Sequence, residues 1–420
     1  MKKVLLFLFI LLLAFGGYLL YDNYFNKGIP KLDVEEEKID IDKLYIYGTH
    51  LNLNGKLVSD VNLDLVLYNG DFKSYKINGT DSSFNLSDNI NDGIDLENIP
   101  VGKYYVFLRS TSKDEEDNDV YRYYVLNNTT SYKETTYYTF SNNNSKIVIN
   151  TDDYYETLML NVTENDNDLV YDVVIDPGHG GMDSGANKNG KREADYTMKI
   201  AESLKTKLED YGIKVKLTRT SDQLTLNETL PDYGTHGRSV IGHEVYAKYI
   251  FSIHLNSNSA TSVRGLEIYT PANINYDFIK TMAKTIVTNA NANYSTNRIN
   301  KVSDGIYTRT FTEADVKSSI KENEERGRKP YDVSVGANYY FMIRETGGIM
   351  TGAYVDDRNA PKVLENPYYK SNVGCEAYLF ELGYLTNNVD MENINNNMDK
   401  YTQAIASTFN TVYTKYENQN

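Results

Sequence analysis

Three apolar runs in the second half of the chain each break off at a polar, chemistry-bearing residue, and this recurrence constrains the fold more than any other feature. They are Val173-Val174-Ile175-Asp176, continuing through Pro177 and Gly178 to His179; Ile250-Phe251-Ser252-Ile253-His254; and Tyr378-Leu379-Phe380-Glu381. Short apolar runs bounded by turn residues read as buried strands. Between the first two, Ala201, Leu204, Leu208 and Tyr211 share one face of a helix that Glu193 opens and Gly212 stops. Strands alternating with helices predict an α/β domain, its mainly parallel sheet flanked by helices. In such a sheet all three polar ends emerge at one carboxyl edge, where ligands of open α/β folds bind.

The same alternation predicts the rest of this domain, residues 169–420. Its strands fall at 171–176, 213–217, 249–254, 265–270 and 377–381, with helices at 238–248 and 276–292. A closing helix carries Tyr401, Ile405, Phe409, Val412 and Tyr416 at helical spacing. Between 300 and 372 lies an insertion too long for a plain connection, with a charged helical stretch at 313–328.

The first half has a different character. From 43 to 168, β-rich segments recur at 44–53, 61–68, 104–108, 120–126, 137–140, 147–149 and 158–162, separated by Asn, Gly, Asp and Ser turns. They predict a β-sandwich-like accessory domain. The turn Pro100-Val101-Gly102 leading into Tyr104-Tyr105-Val106 resembles a corner of prealbumin-like and immunoglobulin-like surface modules. Residues 22–42 are polar and read as a linker. Before them, Lys2 and Lys3 precede an apolar run at 4–20, long enough to cross a bilayer core of about 30 Å. Residues 1–21 are therefore expected to form an uncleaved signal anchor, a single-pass transmembrane helix. The lysines keep their end in the cytoplasm and place the α/β domain outside it; cleavage would instead release a secreted protein.

A net charge of −15 argues against nucleic acid or anionic lipid headgroups as partners, because both are bound by clustered Lys and Arg. The chain has one cysteine, Cys375, so no intramolecular disulfide forms.

If the three strands are parallel, His179, His254 and Glu381 meet at one edge, and Glu193 joins them from the start of the first helix. Two histidines and a carboxylate are the ligand composition of a catalytic zinc site with one position free for water. Glu381, the remaining carboxylate, takes the part of general base. His236 and His243 are competing ligands, but neither stands at a strand end.

In combination, Asp176-Pro177-Gly178-His179-Gly180-Gly181-x-Asp183-x-Gly185-Ala186, Glu193, Ser252-Ile253-His254-x-Asn256 and Glu381-x-Gly383-Tyr384-Leu385-Thr386-Asn387 resemble the zinc-dependent N-acetylmuramoyl-L-alanine amidases. The resemblance runs from about 169 to the carboxyl terminus. It implies one Zn2+ on His179, Glu193 and His254, Glu381 as the catalytic carboxylate, and peptidoglycan as substrate. The implied reaction is hydrolysis of the amide between N-acetylmuramic acid and the L-alanine of the stem peptide.

Leu255 stands where that family often has Ala, and Tyr384 where it often has Phe; both swaps keep an apolar character. The 300–372 insertion is expected over or beside the cleft. Within it, 340–348 is a candidate substrate-binding or lid segment, with Arg344 placed to pair with a stem-peptide carboxylate, and Asn256 is a second candidate for substrate binding. Two other functions remain open on sequence: a zinc peptidase cutting within the stem peptide, and a non-catalytic wall-binding protein. The β-rich half is expected to meet a glycan or protein partner.

Overall fold

The computed structural model describes residues 29–56, 63–80, 83–220, 237–325, 327, 334–353 and 371–416. The expected signal anchor, 1–21, lies outside them. Among the described residues no helix is long and apolar enough to cross a membrane.

Among the described residues, the strands of the first half and Val373–Gly374 hydrogen-bond into one continuous 13-stranded sheet, where a β-sandwich-like domain was expected. The long strand Gly102–Lys113 is the reason. It pairs with Leu63–Tyr68 and Asp119–Asn128 and, at its start, with Leu158–Glu164, so all three join one ladder. The sheet then closes over its own apolar face, where Leu65, Leu108, Ile147 and Leu160 share a buried cluster with Ile41, Leu44 and Leu53.

The run at 44–53, expected as one strand, is a hairpin. Lys38–Tyr47 turns at Gly48, whose φ of +59° suits glycine, into His50–Lys56, with Tyr47 paired to His50. That first strand begins inside the segment expected as linker. Ile39 and Ile41 are buried and lie parallel to Leu126 and Asn128, while Ile29, Leu32 and Val34 pack against Val66, Tyr68, Phe107 and Tyr155. Alternate apolar residues within an acidic stretch suffice to bury one face of a strand.

The second half is built on a seven-stranded sheet. Its strands are β1 (Val173–Pro177), β2 (Val215–Leu217), β3 (Tyr249–Asn256), β4 (Glu267–Tyr269), β5 (Lys301–Ser303), β6 (Ile306–Tyr307) and β7 (Glu376–Tyr384). They lie in the order β2-β1-β3-β7-β4-β6-β5, with the first four parallel and β4 antiparallel to β7. The expected mainly parallel core is present, and the start of the insertion supplies β5 and β6 at its far edge.

Helices α1 (Glu193–Glu209), α3 (Asp277–Asn289) and α6 (Asn388–Tyr413) cover one face. There Leu204, Leu208, Ile279, Ile286, Ile405 and Phe409 pack against Ile175, Phe251 and Phe380. The other face carries α2 (Ile241–Glu244) and α5 (Phe341–Thr346), with Ile241, Met342 and Ile343 against Val174, Ile250, Ala377 and Leu379. The helix expected at 238–248 is only α2, because Tyr246 adopts a φ of 56° and turns the chain into β3. Helix α4 (Glu313–Glu325) matches the charged stretch of the insertion.

The two sheets are joined by chain continuity. Val373–Gly374 pairs in parallel with Ile46–Tyr47 of the first sheet, and after the single residue Cys375 the chain enters β7. Residues 373–374 thus belong to the N-terminal sheet, although they lie in the α/β half. Around this seam, buried Lys248 donates from Nζ to the Thr139 carbonyl at 2.7 Å and faces the Glu97 carboxylate. Asn91 Nδ2 donates to Glu376 Oε1 at 2.9 Å, and Ser141 N to Asp172 Oδ1 at 2.7 Å.

Candidate active site and metal centre

The parallel ladder brings the three strand ends together as the sequence predicts. Pro177 at the end of β1 pairs with Ile253 of β3, and His254 with Glu381 of β7. Glu193, the first residue of α1, faces both histidines. Its Oε1 lies 3.1 Å from His179 Nε2 and 3.1 Å from His254 Nδ1, and accepts the Leu255 amide at 3.0 Å. Its Oε2 accepts the Ala186 amide at 2.9 Å, which fixes the carboxylate plane.

Two glycines are required by this crowding. A Cβ on Gly178 would lie 2.4 Å from His254 Nε2; one on Gly185, whose φ is +62°, would lie 2.6 Å from Glu193 Oε2 and 2.5 Å from the His179 ring. The glycines flanking the motif therefore make room for the ligand side chains themselves. His179 also adopts a left-handed φ of 60°, an uncommon conformation for a residue with a side chain, which aims its ring at Glu193. The second ring nitrogen, Nδ1, meets Asp183 Oδ2 at 2.8 Å. This carboxylate–histidine pairing fixes which imidazole nitrogen faces the site.

His179, Glu193 and His254 each offer one ligand atom, and these atoms lie within 4.8 Å of one another. The donor set and its spacing fit a single divalent ion, with two neutral imidazoles and one carboxylate. Burial pushes the Glu193 carboxyl up, but the bonds and charges of the two histidines outweigh it and hold it well below the usual range. Burial lowers the His179 imidazole, and its bonds to Glu193 and Asp183 more than reverse that.

Glu381 differs. Burial first, and then repulsion by Glu193 and Glu267, raise its carboxyl well above the usual range. Its Oε2 is buried with no hydrogen-bond partner among the described residues. A carboxyl of that kind, beside a candidate metal centre, is suited to holding and passing a proton.

The remaining sequence candidates fall elsewhere. Asn256 is half-buried; its Nδ2 donates to Glu267 Oε2 at 3.2 Å and its Oδ1 accepts the Ser257 amide, so both ends serve the protein. Arg344 corrects the expectation more strongly. Residues 341–346 are helical, and the guanidinium, 4% exposed, donates to the carbonyls of Asn338 and Tyr339 at 2.9 Å and pairs with Glu345. It ties the insertion's own turn instead of reaching a substrate carboxylate. The insertion does adjoin the site, because α5 packs on the face of β7 that carries Ala377, Leu379 and, by alternation, Glu381. His243 is buried apart from the ligand set, its imidazole held down to about 4 by burial. His236 lies outside the described residues.

Sequence reasoning assigned no role to two arginines that hold the site. Buried Arg219 donates to the carbonyls of Pro177, Gly178 and Ala194, clamping the His179 turn to the start of α1. Arg238 pairs with Asp176 at 3.0 Å and donates to the His179 carbonyl at 2.7 Å. Arg219 stands two residues beyond Leu217, so the strand-end signal that marked His179 also pointed to it.

The chain is similar to known proteins over its second half. The family described as N-acetylmuramoyl-L-alanine amidase matches residues 173–410. A probable cell wall amidase, LytH of Staphylococcus aureus, is 34% identical over 100 residues, which are 23% of this chain and 30% of that protein's length. Among solved structures, the amidase AmiC2 of Nostoc punctiforme is 22% identical, covering 58% of this chain and 97% of that one, with a TM-score of 0.36. The catalytic domain of CwlV, from Bacillus (Paenibacillus) polymyxa, is 20% identical over 60% of this chain and 100% of that one, with a TM-score of 0.36.

Proposed function

Because the chain belongs to the N-acetylmuramoyl-L-alanine amidase family, we propose that it hydrolyses the amide joining N-acetylmuramic acid to the L-alanine of the peptidoglycan stem peptide. The observation that carries this reading is Glu381 paired with His254 across neighbouring strands, at the edge where His179, Glu193 and His254 offer a shared metal position. The ion in this reading is zinc, one per catalytic domain. Zinc there would lower the pKa of a water to about 7 and polarise the scissile carbonyl.

The chain's own residues do the rest. Asp183 fixes the orientation of the His179 ring from Nδ1, the Ala186 and Leu255 amides fix the Glu193 carboxylate, and Gly178 leaves the room that the His254 ring occupies. Glu381 accepts the proton of the attacking water at its carboxylate and returns it to the departing amine of alanine. Residues 1–21 anchor the protein in the cell membrane with the catalytic half outside the cytoplasm. The β-rich half meets a glycan or protein partner at the wall.

Mass spectrometry of purified wall digested with the protein tests the assignment. Released peptides beginning with alanine are expected. New amino termini further along the stem would assign a zinc peptidase, and no released peptide from zinc-loaded protein would leave a wall-binding protein.

A further inference from the structure

Glu267 lies directly opposite Glu381 in the antiparallel pairing of β4 and β7, and is fully buried. Four side chains from four segments donate to it. Asn256 at the end of β3 and Tyr269 on β4 reach Oε2, at 3.2 and 2.7 Å. Ser295, in the loop after α3, reaches Oε1 at 2.6 Å, where the Tyr384 hydroxyl from the end of β7 also donates. Two donors on each oxygen is a pattern only a carboxylate accepts in full, since a glutamine would turn an NH2 toward two of them.

Burying a carboxylate away from water is costly unless such bonds compensate. Packing alone would be served by an apolar residue, which the neighbours Leu266 and Ile268 already are. What Glu267 adds is a rigid tie among the end of the strand that bears His254, the strand that bears Glu381 and the Ser295 loop. The tie continues outward, because Tyr269 hydrogen-bonds Tyr340 of the insertion and their rings lie 4.4 Å apart.

We infer that Glu267 is a positioning residue for the proposed reaction, holding Glu381 and the strand ends around it in register with the metal ligands. The inference rests on the amidase reading for its substrate but not for its readout, which follows whichever bond the protein cuts.

Steady-state kinetics of the full chain on purified muropeptide, with metal content and melting midpoint measured on the same samples, tests it. Glu267→Gln is expected to lower kcat about 10-fold or more while KM stays within about 2-fold, because alignment of the reacting groups is lost and substrate binding is not. Metal stoichiometry and melting midpoint should stay at the wild-type values. Wild-type kcat would overturn the inference, and so would a fall in kcat that tracks lost metal or a lowered melting midpoint. If Glu267→Gln does not fold, Tyr384→Phe and Ser295→Ala, which each remove one donor, decide: kcat should fall about 3-fold in each, and wild-type kcat in both would overturn it. Release of peptides without amino-terminal alanine by the wild type would sink the amidase assignment and leave the Glu267 result standing on the bond observed.

Discussion

His254 and Glu381 are paired neighbours on adjacent parallel strands, so a candidate metal ligand and the carboxyl proposed to carry the proton are set by a single backbone ladder. No loop intervenes between them. Substitutions at this edge should therefore separate metal binding from proton transfer.

Glu381→Gln removes the proposed proton carrier and keeps the volume. The expected result is a loss of roughly 10³-fold in muropeptide turnover, within the range for general acid–base groups, with metal content unchanged. Parallel turnover and elemental analysis of the two proteins check it. Lost metal in the variant would place Glu381 among the ligands instead.

Gly178→Ala would set a methyl 2.3 Å from the His254 ring, where the ring must move. The metal site is expected to fail before the fold does. Zinc titration should show binding weakened by at least about 10-fold, as for other disturbed ligand orientations, while circular dichroism stays that of the wild type.

Asp183→Ala releases Nδ1 of His179 without touching a ligand. Loss of such a carboxylate weakens metal affinity by about 10–100-fold. Competition with a chelator of known affinity reads that change, and equal affinities would show that the left-handed turn alone holds the ring.

Glu376, at the seam between the sheets, is buried, bonded to Asn91 and Tyr378, and raised by burial from an ordinary value near 4.5 to about 7. Its folded pKa lies above its unfolded one, so the folded state holds the extra proton between these values. Its contribution to stability is fully present below pH 4.5 and is lost as pH rises to about 7. A shift of that size corresponds to roughly 3 kcal/mol. Urea unfolding at pH 5 and pH 8 should show a smaller difference for Glu376→Gln than for the wild type. An unchanged difference would mean that other buried groups govern the pH dependence.

Much of the catalytic sheet and its metal edge could be read from the amino-acid order, because a strand's side-chain alternation and its abrupt polar end are both local. His179, His254 and Glu381 announced themselves that way. Glu267 did not, since its partners Asn256, Ser295 and Tyr384 come from three other segments and only the folded sheet unites them. Arg344 misled for the complementary reason: a charged residue in an insertion reads as exposed, yet the carbonyls of Asn338 and Tyr339 lie close enough to absorb it. In the β-rich half the strands were legible and their pairing was not. Whether Gly102–Lys113 divides two sheets or joins them depends on ladders formed with distant strands.

The joint at Cys375 gives the two halves a mechanical relation. Gly374 is hydrogen-bonded into the N-terminal sheet, and Glu381 follows on the same extended stretch of chain, about 23 Å away at 3.3 Å per residue. The N-terminal sheet and the edge that bears Glu381 are therefore joined by extended backbone, and only Cys375 stands between the two ladders.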